Sequence, residues 1–177
     1  MKALQKFLGM ILIIIVSVLI ASAFGAIHNQ FSFLVSNEFF KQYLFGNFGV
    51  NEWNIESAKT KASIVGILGS YWVGFYLGIL YAIIYLFLKT NRNLKNVLIA
   101  ILINIGIAFL GSFIGFLIGH FVSAENAGVF IDFGTERPQN YIEAAYMHTA
   151  SYYGGFLGII FGIIYLVKKN KNIKNVV

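Results

Sequence analysis

Residues 70–86 read SYWVGFYLGILYAIIYL, and residues 151–166 read SYYGGFLGIIFGIIYL. With one residue skipped after Phe75, eleven of the sixteen aligned positions are identical. Neither stretch carries a charge, and each is too uniformly apolar to cover a water-facing surface. The whole chain follows suit: 58% of residues are hydrophobic and 11% charged, with a mean hydropathy of +0.76. A soluble domain is about half apolar and a quarter charged. A soluble chain of 177 residues would form a single domain, too small to bury this much apolar surface. Lipid is the solvent that fits.

Four uncharged stretches, 7–27, 62–88, 96–124 and 144–167, each reach or exceed the roughly 20 residues needed to span a hydrocarbon core of about 30 Å. The expected fold is an all-α integral membrane protein. It is a four-transmembrane-helix bundle forming one membrane domain over 1–177, with outer loops at about 28–61 and 121–143. No length remains for a soluble catalytic domain.

Charge orients the spans. Lys2, Lys6, Lys89, Arg92, Lys95, Lys168, Lys169, Lys171 and Lys174 fall at the termini and in the middle loop, giving that side +9. The other two loops hold Lys41, Lys59, Lys61, Arg137 and all seven acidic residues, giving −3. Because basic residues concentrate in cytoplasmic loops, the expectation is a multi-pass protein of the cytoplasmic (inner) membrane with both termini cytoplasmic. The pI of about 9.5 then reports topology rather than nucleic-acid binding. The basic rim suits anionic membrane lipid as a partner.

The N-terminal 23 residues, MKALQKFLGMILIIIVSVLIASA, have the basic start and small-residue end of a secretory signal. Their apolar run exceeds the usual span of about 7–15 residues, so they read as a retained first helix. The chain has no Cys, which excludes disulfides, thiol catalysis and thiolate metal ligands.

The repeated stretches are the second and fourth spans, which run in the same direction, and both lead into similar tails, NLKN (93–96) and NIKN (172–175). The reading is a duplicated helical hairpin, repeat one about 1–95 and repeat two about 96–177. Parallel repeats of this kind are related by an axis along the membrane normal. The skipped residue turns everything outside it by about 100°, so the Ser70-Tyr71 and Ser151-Tyr152 pairs are related without being equivalent.

Small residues recur every fourth position: Ser17, Ala21 and Gly25; Gly66, Ser70, Gly74, Gly78 and Ala82; Gly111, Gly115 and Gly119; Ala150, Gly154, Gly158 and Gly162. That spacing puts each set on one helix face, where small side chains let helices approach closely in lipid. Five such positions on the second span exceed one neighbour's need, which suggests a homo-oligomer or a larger membrane complex. Asn104 should hydrogen-bond a neighbouring helix.

In the first outer loop, FSFLV (31–35) reads as a short strand; Ser36 then caps a helical piece that Gly46 stops. Phe39, Phe40, Tyr43 and Leu44 would form its apolar face, lying on the outer interface. GVFIDFG (128–134) reads as a second short strand, and Pro138 starts the last helix. The two loops are expected to pack together as a small outer cap.

HNQFSFLVSNEFF (28–40), with VGILGSYWVG (65–74) and HTASYYGGFLG (148–158), resembles an uncharacterised group of bacterial four-pass membrane proteins. In that group the first loop opens with His-Asp-Gln and continues through Ser-x-Glu-aromatic-aromatic. Asn29 stands here where the Asp would be. The resemblance implies the four-pass fold and no activity.

Known membrane-enzyme signatures are missing: there is no His-Glu-x-x-His and no phosphate loop. Ser151, three residues after His148, lacks an orienting acid. Three function classes remain. One is a non-enzymatic small-ligand or lipid-binding or transport-type module, or an accessory subunit of a membrane complex. Another is a purely structural oligomer. The alternative class is an outer-face metal-dependent enzyme. For the first class the candidate ligand residues are Glu38, Ser70, Tyr71, Ser151 and Tyr152, although aromatic residues at that depth also form anchor belts. For the enzyme, His28, His120 and His148 all lie at outer helix ends. Three imidazoles with an open fourth position describe a zinc or other divalent metal site that Glu38 or Glu143 could close. Shared depth does not fix shared azimuth, and separate interfacial histidines are the competing reading.

Overall fold

A computed structural model describes residues 3–88 and 93–171. Lys2, Lys89, Arg92 and Lys174, together with the tail 172–175, lie outside the described residues. Four helices are long and apolar enough to cross a membrane: α1 (Ala3–Val35), α4 (Ala58–Phe87), α5 (Asn93–Phe121) and α6 (Pro138–Lys171). Between α1 and α4 the chain forms α2 (Asn37–Phe39), a π-helical turn (Phe40–Leu44), α3 (Phe45–Asn47) and a 3-10 turn (Val50–Glu52). A further 3-10 turn (Ala124–Asn126) follows α5. The protein is an all-α, multi-pass four-helix bundle.

The caps follow the sequence. Ser57 Oγ accepts from Thr60 N at the start of α4, and Pro138 opens α6 at the position where its missing N–H costs nothing. Ser36 has an extended backbone that ends α1, and its Oγ accepts from Phe39 N to start α2.

The two short strands are corrected. No strand occurs among the described residues, and 31–35 is instead the last turn of α1. Nothing between Ile27 and Ser36 breaks the helix, and isolated strand backbone at a membrane boundary would leave its polar groups unpaired. Its aromatic and β-branched residues therefore yield to tertiary context. Residues 128–134 form an irregular loop between two positive-φ glycines, Gly128 and Gly134. Gly46 does not stop the first-loop helix either; Gly49, at φ 67°, does.

Small-residue seams bind the helices in pairs. A Cβ on Gly25 would overlap the Gly66 carbonyl, and one on Gly66 would overlap Gly25, so α1 and α4 touch backbone to backbone. Gly74 faces Ser17 and Ala21, and Gly78 faces Ile14. In the second pair, Gly111 meets Ala150 and Gly154, Gly115 meets Tyr146, and Gly158 meets Asn104. Gly66, Gly74 and Gly78 thus all face α1, so the surplus inferred for the second span is taken up inside the hairpin.

Packing between the two pairs is much sparser than within them. The buried core accordingly divides. At the end near the chain termini, Ile13, Tyr81, Tyr85, Val97, Ala100 and Leu166 bring all four long helices together. At the opposite end, Phe39, Phe40, Leu44 and Phe45 pack on Val65, Tyr141 and Ala144. The first-loop helical segment therefore turns inward as a roof instead of lying flat on the interface; only Tyr43 of its expected apolar face remains exposed.

A polar cluster and cavity between the hairpins

Just under that roof, four helices exchange hydrogen bonds through buried side chains. Asn29 Nδ2 donates to the Ala62 carbonyl at 3.0 Å, which leaves Asn29 Oδ1 to accept from His28 Nδ1 at 3.3 Å. His28 Nε2 then accepts from Ser112 Oγ at 2.9 Å. This chain runs from α4 through α1 to α5. A second link joins α1 to α6: Ser32 Oγ lies 3.0 Å from His148 Nε2 and donates to the His28 carbonyl at 3.2 Å. The two imidazoles stand edge to face, 4.7 Å apart, and Phe39 and Phe40 pack on the His148 ring. Buried polar groups in lipid must find partners within the protein, and here they tie together the two hairpins that the small-residue seams leave apart.

Below the cluster lies a cavity of about 320 Å³, within the range of small-ligand sites. Phe24, Val73, Leu77, Leu80, Ala108 and Ile159 form much of its wall. Its polar groups include His28, Asn29, Ser70, Ser151 and Tyr152 toward the cluster and Asn104 deeper in. Trp72, Tyr76 and Phe156 line it and are also exposed on the bundle's outer surface. The cavity therefore reaches the lipid-facing side between α4 and α6, where close packing is sparse.

The candidate residues separate. Ser70, Ser151 and Tyr152 line the cavity and Tyr71 does not, although both tyrosines are about half exposed. The skipped residue accounts for the contrast between Tyr71 and Tyr152. Ser70 Oγ donates to Gly66 O at 2.6 Å and Ser151 Oγ to His148 O at 2.8 Å, so neither hydroxyl is directed at an imidazole as a nucleophile would be. Asn104 bonds its neighbouring helix as expected, donating to Gly155 O at 2.9 Å.

The three histidines do not converge. His28 and His148 meet, but the His120 side chain is 56% exposed and pairs with Glu143, Nδ1 to Oε1 at 2.7 Å. Among the described residues no three His, Asp or Glu side chains could hold a metal. His28 and His148 each direct Nε2 at a serine hydroxyl, which does not fit a divalent ion. The sequence equalised their depth; helix azimuth separates them. His28 and His148 lie within the bundle instead of on its surface, because α1 continues to Val35.

Glu38 lies outside the cavity and joins the loop between α1 and α4 to the loop between α5 and α6. Its carboxylate accepts from Glu136 N at 2.8 Å and Arg137 N at 3.0 Å, at the positive N-terminal end of α6. Thr135 Oγ1 also donates to Gln42 Oε1 at 3.0 Å, so the loops do form a joint cap. Glu38→Ala should make loop 122–137 cleavable by protease several-fold faster in the folded protein. Unchanged cleavage would mean that this lash does not hold the cap.

Ser32 and Ser112 were not singled out from the sequence. The available signal was a hydroxyl inside an apolar span at histidine depth, a position where polar residues are costly and specific. Asn29 was noted only for lacking charge. The structure gives it a positive role, since an Asp there could not donate to Ala62 O. Comparison with known proteins finds no matching family model, no similar curated protein and no similar solved structure.

Proposed function

We propose that this chain is a non-enzymatic binding module of the cytoplasmic membrane that holds a small lipidic ligand between its two hairpins. The cavity carries this reading: it is largely apolar, of ligand size, polar toward one end and open sideways toward lipid. A membrane lipid is thus the first partner, reached without crossing water. The charge distribution supports cytoplasmic termini, with Lys6, Lys95, Lys168 and Lys169 at one end of the bundle and Glu38, Asp132, Glu136 and Glu143 at the other. The likeness of α4 to α6 and the pairing of α1 with α4 and of α5 with α6 support a duplicated hairpin. A transport-type role would use the same cavity with a second opening, and an accessory role in a larger complex would use it as a lipid-filled joint.

Gly155 gives a direct test. It lines the cavity, and a Cβ there meets nothing within 4 Å, so Gly155→Phe adds a ring at the cavity wall from a backbone position that has room for a side chain. Native mass spectrometry of gently solubilised wild-type protein should show a retained lipid-sized adduct, and Gly155→Phe should lose it. A wild type without adduct, or a variant that keeps it unchanged, overturns the reading.

A further inference from the structure

The chemistry of the cavity wall narrows the ligand. No Lys, Arg, Asp or Glu lines the cavity among the described residues. A charged headgroup would therefore be desolvated there without a counter-ion, which is strongly unfavourable. Phosphates, carboxylates and ammonium heads are disfavoured on that ground alone.

The remaining polar atoms offer both acceptors and donors, the second amide protons of Asn29 and Asn104 among the donors. The hydroxyl protons of Ser70 and Ser151 go to backbone carbonyls, as does one amide proton each of Asn29 and Asn104. The two serine oxygens keep free lone pairs. Ser32 Oγ stands between the His28 carbonyl, at 3.2 Å, and His148 Nε2, at 3.0 Å. A neutral imidazole has one donor and one acceptor nitrogen: with the Ser32 proton on the carbonyl, His148 Nδ1 is the acceptor, and with it on Nε2, Nδ1 is the donor. In either tautomer Nδ1 has no hydrogen-bond partner among the described residues. The His148 ring is half-buried and lines the cavity. Tyr152 also lines it, and its hydroxyl has no partner among the described residues, so it adds a group that can donate.

The dimensions suit one chain. From His148 to Ile159 along α6 is about 16 Å at the helical rise, close to half of a hydrocarbon core of about 30 Å. The polar end of the cavity lies twenty residues outward from Lys168 on the same helix, again about 30 Å. A chain entering between α4 and α6 from one leaflet would place its head beside His148 and its tail toward Leu80 and Ile159.

We infer that the ligand is a single-chain amphiphile with an uncharged hydroxyl head, of the fatty-alcohol, prenol or monoglyceride class, whose hydroxyl hydrogen-bonds with His148 beneath the aromatic roof. This rests on the binding reading above and adds headgroup recognition to it.

Trp72 lines the cavity and is one of two tryptophans; the other, Trp53, is exposed in the first outer loop. In a Trp53→Phe background, bromine-tipped dodecanol, its methyl ether and the corresponding dodecanoate are titrated while Trp72 fluorescence is read. The alcohol should quench at about three- to tenfold lower concentration than the ether, the worth of one hydrogen bond, and the dodecanoate should be weakest. In His148→Phe the alcohol should lose its advantage while the ether still quenches. Equal quenching by alcohol and ether, or strongest quenching by the dodecanoate, overturns the headgroup assignment and leaves the cavity reading standing. An alcohol preference that survives His148→Phe overturns the role of His148. Absence of Trp72 quenching by every probe removes the cavity reading and this inference together. The wild-type comparison decides the headgroup even if His148→Phe fails to fold.

Discussion

Gly25→Leu should unfold or severely loosen the bundle. A Cβ at position 25 collides with the Gly66 carbonyl oxygen and with Ser70 Oγ, and lies 2.7 Å from the Gly66 carbonyl carbon. Two of those three atoms are backbone, so no rotamer change relieves the contact; α1 and α4 must separate. Overpacking of a tight interior typically costs about 1–3 kcal/mol, and a backbone-on-backbone clash belongs at or beyond about 3 kcal/mol. Separation would also dissolve the seam at Gly74 and Gly78, since the three glycines share one helix face. Gly106→Ala is the matched control. No atom lies within 4 Å of a Cβ there, and replacing a helical glycine by alanine is worth about 0.5–1 kcal/mol in favour of the fold. Thermal unfolding in detergent should place Gly25→Leu far below wild type and Gly106→Ala at or slightly above it. Equal melting of Gly25→Leu and wild type would show that the seam is not close-packed.

His28→Ala should be the most damaging single change outside the seams. It strands Ser112 Oγ and Asn29 Oδ1, both buried, and removes a ring that packs on Phe24 and His148. Interhelical hydrogen bonds in membranes average only about 0.6 kcal/mol, and only the bond to Ser112 is interhelical, that to Asn29 lying within α1, so the two lost bonds together account for no more than about 1 kcal/mol. A truncated ring-sized core residue adds a cavity cost of up to about 3–5 kcal/mol. The expected total is roughly 2–4 kcal/mol, with packing the larger part. His28→Phe separates the two contributions: it restores volume without the hydrogen bonds, and should recover more than half of the loss. If His28→Phe is as unstable as His28→Ala, polar linkage dominates and this apportionment is wrong. If His28→Ala costs nothing, the cluster does not tie the hairpins.

Much of the architecture was legible because lipid leaves few options. With no water to satisfy backbone groups, four long apolar runs have to be helices, and glycine at every fourth position has to face another helix closely. Ser36 and Pro138 also acted where the sequence placed them, since capping depends on neighbours only a few residues away. The strands at 31–35 and 128–134 were misread for the complementary reason. Aromatic and β-branched residues mark a strand only when another strand is there to pair with it.

The candidate site was half legible. Counting from Lys89 and Lys168 sets Tyr71 and Tyr152 toward the same end of their spans, and the skipped residue makes the Ser70-Tyr71 and Ser151-Tyr152 pairs inequivalent, but the sequence does not show which of these residues share a cavity. Azimuth around the bundle is set by contacts between residues far apart in the chain, such as His28 with Ser112 and Ser32 with His148. That is why His28 and His148 meet while His120 faces outward to Glu143. The sequence by itself determined the solvent, the number of helices and the faces that pack. Only the tertiary structure decided that tight pairing within hairpins and loose pairing between them leaves a cavity, because the gap between two packed units depends on how they rotate against each other and not on the pattern within either.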